Sequence, residues 1–231
     1  MNIIFTDTIG VPEAYRPTPA SENIPDWYKS MESYLTDGKI TNGNGLVSST
    51  IKRCMPVFDA ITSGYILYTY VDVSVSQHEN GARYEWPDQK PIELHKVAQA
   101  PEHPNRKPKS NFSDYPKWMN AWGIKTPKGY SCLFISPSHR KLPFSILEGV
   151  VDTDKFDSPV NFPFTFKDET FEGIIPAGTP MAQVIPFKRE LWKMSIGKEE
   201  NLKEQKKTNL YLGSSFFDSY KNKFRTLKEY K

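Results

Sequence analysis

Proline sets the first limit on what this chain can fold into. There are nineteen prolines and only thirteen glycines in 231 residues. Proline lacks a main-chain N–H and is excluded from helix interiors and central strands. A chain so punctuated is built from many short elements joined by stiff turns, which leans it toward β structure. The apolar share is modest at 38%, but aromatic residues make up 13% of the chain and bring enough volume for a core. Thirty basic and 27 acidic residues leave a net charge of +3, which gives no electrostatic case for non-specific nucleic-acid binding. Apolar runs are short, so no transmembrane helix is expected and no membrane partner. The opening MNIIFTDTIGVPEAYRP has no basic leader followed by an apolar stretch, so no signal peptide is expected. Cys54 and Cys132 do not make a disulfide scaffold, and a reducing cytoplasm is the simplest setting.

The length suits one domain with additions. The expected division is an N-terminal extension over 1–50, a β domain over 51–196, and a charged linker with a C-terminal helix over 197–231. IPDWYKSMESYL (24–35) reads as a short helix starting at Pro25 or Asp26, with Trp27, Met31, Tyr34 and Leu35 on one face. Residues 37–50 are turn-rich and read as a loop. GYILYTYVDVSV (64–75) reads as one strand, followed by strands over 81–86 and 91–98. The proline-rich polar stretch 99–117 reads as a long surface loop. Strands are then expected over 129–136, 144–152, 160–166, 170–175, 180–187 and 190–196. Their close spacing is the pattern of a sandwich or barrel and not of βαβ units. Residues 197–208 read as a charged linker. Phe217, Tyr220, Phe224 and Leu227 then recur at helical spacing, with Ser214 or Ser215 as cap.

Three segments carry candidate chemistry. In GVVDTD (149–154), Asp152 and Asp154 stand two apart, so on a strand they share a face. Such a pair could hold a hydrated Mg²⁺, or one carboxylate could activate water; equally, Asp is favoured wherever a turn begins. In IPAGTPMAQVI (175–185), a tight turn precedes a strand bearing Gln183, whose buried amide would need partners. In SPSHRK (136–141), Ser138, Arg140 and Lys141 could meet an anion such as a phosphate, or merely decorate a solvated turn. The four histidines and two cysteines show no zinc-ligand spacing. Trp118 and Trp122 could stack on a base, but a packing role is the more ordinary use of tryptophan.

Taken in order, GYILYTYVDVSV, GYSCLFISPSHRKL, GVVDTDKF and IPAGTPMAQVIPF resemble the successive motifs of the dUTPase family, over roughly residues 56–190. The resemblance implies a mainly β, dUTPase-like β-clip or jelly-roll-like barrel, usually a homotrimer, with a nucleoside triphosphate ligand and Mg²⁺. It makes Asp152 the general base toward the water that attacks the α-phosphate. It places Gln183 near the bound phosphates, with Ser138 and Arg140 as candidate phosphate contacts and Asp154 and Phe156 among the ligand-binding residues. Several positions depart from the family pattern. Ile66 replaces an aspartate that supports the metal region, Lys155 replaces the tyrosine that closes over the sugar, with Phe156 one place later, and the glycine-rich C-terminal arm has no counterpart. The strings KRCMP, WGIKTPKGYS and AQVIPFKR are also similar to a group of proteins from tailed phages and aquatic bacteria. Scaffold signals outlast chemical ones here. The expectation is therefore a non-catalytic, phage-related dUTPase-like protein that binds a nucleotide-like ligand or serves as an interaction module. The alternative is a divergent Mg²⁺-dependent nucleoside triphosphate pyrophosphatase.

Overall fold

A computed structural model describes residues 1–35, 49–79, 81–95, 115–197, 199–214 and 219–231. The chain divides into two compact units. One comprises Met1–Asn23 with Gly64–Arg189, the other Ile24–Ser63 with Glu190–Lys231. The expected boundaries at 50 and 196 are thus drawn differently: residues 1–23 belong to the β unit, and residues 51–63 do not.

The first unit is mainly β, and every strand pair in it is antiparallel. Strands are numbered along the chain. Its five-stranded sheet runs in the order β11 (Gly149–Val151), β9 (Tyr130–Ile135), β14 (Pro180–Lys188), β3 (Tyr65–Tyr68), β2 (Thr18–Pro19). A four-stranded sheet runs β10 (Phe144–Ile146), β12 (Phe162–Phe166), β7 (Tyr115–Trp118), β6 (Ile92–His95). A three-stranded sheet runs β13 (Gly173–Ile175), β4 (Val73–His78), β5 (Gly81–Glu85), and β1 (Ile4–Asp7) pairs with β8 (Trp122–Lys125). Among the described residues these sheets are open, so the expected barrel does not close.

Alternation along the strands sorts side chains onto two faces. Leu67, Cys132, Phe134, Ala182 and Val184 join the main core, where Trp118 stacks on Phe164 at 4.8 Å between ring centroids. The intervening Ile66 and Tyr68 face the other way and pack with Ala20 and Tyr15. Pro186 is tolerated inside β14 because β3 ends opposite Val184, so on that side no ladder bond is lost.

The second unit contains α1 (Asp26–Ser30), α2 (Met55–Thr62) and α3 (Glu199–Ser214). Tyr28 is buried against Phe58, with ring centroids 5.9 Å apart, and its hydroxyl donates to the Lys52 carbonyl at 2.9 Å. Asp59 of α2 accepts from Arg225 at 2.7 Å and Lys228 at 2.9 Å. No helix among the described residues is long and apolar enough to cross a membrane.

Several expected elements come out differently. The run 64–75 gives two strands, because the Pro176–Thr179 turn crosses it. The Thr69 hydroxyl donates to the Pro176 carbonyl at 2.8 Å, and Asp72 accepts from the Ala177 N–H at 2.7 Å. Residues 144–152 also give two strands, β10 and β11. The helix expected over 24–35 is confined to Asp26–Ser30. Residues 115–117, expected in a loop, are strand, while 96–114 lie outside the described residues, as do 36–48 of the expected N-terminal loop. ELWKMSI (190–196) has no regular structure, because the register of β14 ends with Lys188 opposite Tyr130. The expected charged linker is instead the helix α3; its Glu, Gln and Lys are strong helix formers. The aromatic spacing near the C-terminus yields only a π turn, Tyr220–Phe224, after which Arg225 takes an extended backbone. Ser214 ends α3 and does not begin a helix, while Ser215 and Phe217 lie outside the described residues.

Candidate functional site

The candidate residues fall into two clusters at opposite ends of β9. The first is built on the Asp-Thr-Asp turn. β11 ends at Val151, and the Asp152 carbonyl then accepts from the Lys155 and Phe156 N–H groups, each at 2.9 Å. Thr153 is fully buried, and its hydroxyl lies 2.7 Å from that of Thr126. This anchor directs the flanking aspartates together toward Arg189 just past β14. Arg189 contacts both oxygens of Asp154, with Nη1 2.8 Å from Oδ1 and Nη2 on Oδ2. It also reaches Asp152 Oδ1 at 3.1 Å, and donates to the Tyr130 carbonyl and the Ser131 hydroxyl, each at 2.9 Å. The Gly129 N–H donates to Asp154 at 2.8 Å, and the Ser131 hydroxyl to Asp152 at 2.7 Å. Phe156 projects from the same turn, about half exposed.

The electrostatics follow from these partners. Arg189 holds the Asp154 carboxyl far below its ordinary range, helped by the Gly129 N–H. Asp152 is also lowered, first by the Ser131 hydrogen bond and then by Arg189. A base so acidified is a weak acceptor for a water proton. Mg²⁺ does not fit the pair either. A guanidinium already stands between the carboxylates, both Asp154 oxygens are engaged, and Ile66 is an apolar core residue. No three acidic, histidine or cysteine side chains gather at a metal-sized site among the described residues. The arrangement is a bidentate clasp tying the turn to the end of β14.

The second cluster joins three other candidates. Gln183 is fully buried on β14, in register with Ile135 of β9 and Ile66 of β3. Its side-chain oxygen accepts from the Ser138 N–H at 2.8 Å, which fixes the turn after β9. His139 follows in the left-handed region at φ 56°, a strained conformation for a residue with a Cβ. The turn directs Arg140 inward. Its Nη1 lies 3.4 Å from the Ser138 carbonyl and its Nη2 donates to the Asn23 carbonyl. Its Nε is buried with no acceptor. Arg140 makes no ion pair among the described residues, and burial lowers its pKa against the opposing influence of Tyr68. Tyr68 is buried beside it, with its hydroxyl 2.6 Å from that of Thr18.

Ser138, Arg140 and Gln183 are therefore brought together, and so are Asp152, Asp154 and Phe156. The two groups are not. Asp152 stands opposite Ser131 and Gln183 opposite Ile135, four residues apart on β9, or about 13 Å along the strand. Two participants were not singled out in the sequence. Arg189 is one of several basic residues after a strand, and Tyr68 sits in an aromatic run; neither is marked until the strand register is set.

Clasp and acid stability are linked. The Asp154 pKa is depressed by folding, so its contribution is fully present above the unfolded carboxylate's titration near about pH 3.9 and is lost as pH falls below that. Asp154→Asn is expected to lower the urea midpoint at pH 7, with the gap to the parent narrowing progressively, without closing, as pH is lowered from about 5 to about 2. A gap that stays constant across that range in urea titrations would show that Asp154 does not act through its charge.

A scan of the chain against protein-family models finds no match, and a search of curated proteins finds no similar sequence. The chemistry of the two clusters must carry the functional reading.

Proposed function

We propose that this protein is a non-catalytic, dUTPase-like binding module that takes a nucleotide-like ligand through an anionic group at Arg140. The observation that carries the reading is a half-buried guanidinium with no carboxylate partner among the described residues and an N–H left without an acceptor. Withdrawing a cation from water costs several kcal/mol unless a counter-charge or hydrogen bonds offset it (about 3–5 kcal/mol when a buried pair is broken). Among the described residues Arg140 has only main-chain carbonyls as acceptors, so a phosphate would supply the missing counter-charge. The fully buried Gln183 braces the turn that carries it. The non-catalytic part of the reading draws support from Asp152, whose carboxylate is acidified and tied to Ser131 and Arg189. The motif order resembling dUTPases, on a mainly β unit of antiparallel sheets, supports the scaffold.

The test is calorimetric titration with dUTP, dCTP, ATP and inorganic pyrophosphate, alongside an assay of pyrophosphate release with Mg²⁺. Saturable binding without turnover is expected. Arg140→Met should weaken it about 10- to 100-fold, the loss of a charged hydrogen bond worth about 1.5–3 kcal/mol. Absence of binding at millimolar ligand would sink the reading. Pyrophosphate release abolished by Asp152→Asn would replace it with the pyrophosphatase alternative.

A further inference from the structure

Two features of this chain lack a partner among the described residues, and their chemistry matches. The first is the segment after Arg189. Leu191, Trp192, Met194 and Ile196 are 105%, 88%, 88% and 89% exposed. Trp192, Met194 and Ile196 alternate with Lys193 and Ser195, so in extended form they share one face. Four large apolar side chains bared in six residues mark an interaction site.

The second is a cleft of about 440 Å³ in the β unit, lined by Tyr84 and Trp86 on or just past β5 and by Ile92 and Leu94 of β6. β5 is the last strand of its sheet and β6 the last of another, so among the described residues each has an unpaired edge. Arg83 at the rim is already paired with Glu85 at 2.9 Å, so the cleft offers an anion little uncompensated charge. Its volume lies within the range of built ligand sites, with room for an indole and a further side chain.

We infer that residues 191–196 of one copy dock as an added strand in the β5–β6 cleft of a second copy, with Trp192 as the anchor. Area favours reciprocal exchange over a foreign partner. The indole carries about 150–250 Å² and each aliphatic side chain about 60–120 Å², so one segment and the surface it covers bury roughly 700–1,200 Å². Two exchanged segments double that, which reaches the size of stable interfaces, and two-fold symmetry closes the assembly.

The experiment uses the full chain. Light scattering is expected to give a multiple of 26.5 kDa for the parent and 26.5 kDa for Trp192→Asp/Met194→Asp. The variant should keep the parent's circular dichroism spectrum, since the replaced side chains are exposed and outside the core. In a Cys54→Ser background, a mixture of Leu94→Cys chains and Met194→Cys chains should cross-link under oxidation, and faster than either alone. A monomeric parent, an oligomer that survives the double variant, or a mixture that cross-links no faster than its components would each overturn the inference. Adsorption of a monomeric parent to lipid vesicles would instead assign the segment to a membrane surface, and would overturn it too.

Discussion

Gly64→Ala is expected to prevent the β unit from folding. Gly64 has φ +73°, and a Cβ there would overlap the Val184 carbonyl oxygen while lying 2.8 Å from the Val184 carbonyl carbon and 3.1 Å from the Ile185 Cα. The left-handed backbone alone costs an alanine about 1–2 kcal/mol. The overlap is with main chain, which no rotamer change relieves. Relief requires β3 to part from β14 where Tyr65 pairs with Val184, between the two faces that hold Leu67 and Ile66. The sum should exceed about 4 kcal/mol, in the rare tail of single substitutions and a large part of a domain's usual 5–15 kcal/mol. Soluble yield and the melting temperature check it. A soluble variant melting within a few degrees of the parent would show that the two strands can separate cheaply.

Asp59→Ala should cost the second unit about 3 kcal/mol, the lower end for removing one partner of a buried ion pair. The Asp59 and Arg225 side chains are only 10% and 11% exposed, so the substitution leaves a guanidinium in a nearly dry site. Burial pushes the Asp59 carboxyl up, but hydrogen bonds from Arg225 and Lys228 outweigh it and hold it below its ordinary value. Arg225 also lies over the Phe58 ring at 5.6 Å. The segment from Arg225 onward has no helix or strand, so these side-chain contacts contribute to its attachment. Amide exchange across 219–231 should rise sharply in the variant while β9 and β14 remain protected. Unchanged protection there would show that the cluster is dispensable.

The sequence showed period more readily than pairing. Strands such as Tyr130–Ile135 and Pro180–Lys188 were legible because alternation and flanking Gly or Pro are local signals. The helix Met55–Thr62 was passed over, although Pro56 in its first turn and the Phe58–Ile61 spacing were there to read. ELWKMSI alternates like a strand, yet alternation cannot say whether a partner strand stands opposite. The same limit governs the site. Asp152 and Arg140 were conspicuous as residue types. That Asp152 and Asp154 meet Arg189, while Arg140 meets no acid among the described residues, depends on a register joining residues 35 or more apart. No composition or motif encodes that distance.

The Arg189 clasp has a consequence for how this end of the sheet responds to its surroundings. The positive charge between the two aspartates is covalently part of the chain. A divalent ion in that place would come and go with supply, and a chelator could strip it. A guanidinium is always present at one equivalent and always charged. The turn is therefore set at synthesis, and it neither waits on metal supply nor yields to a chelator.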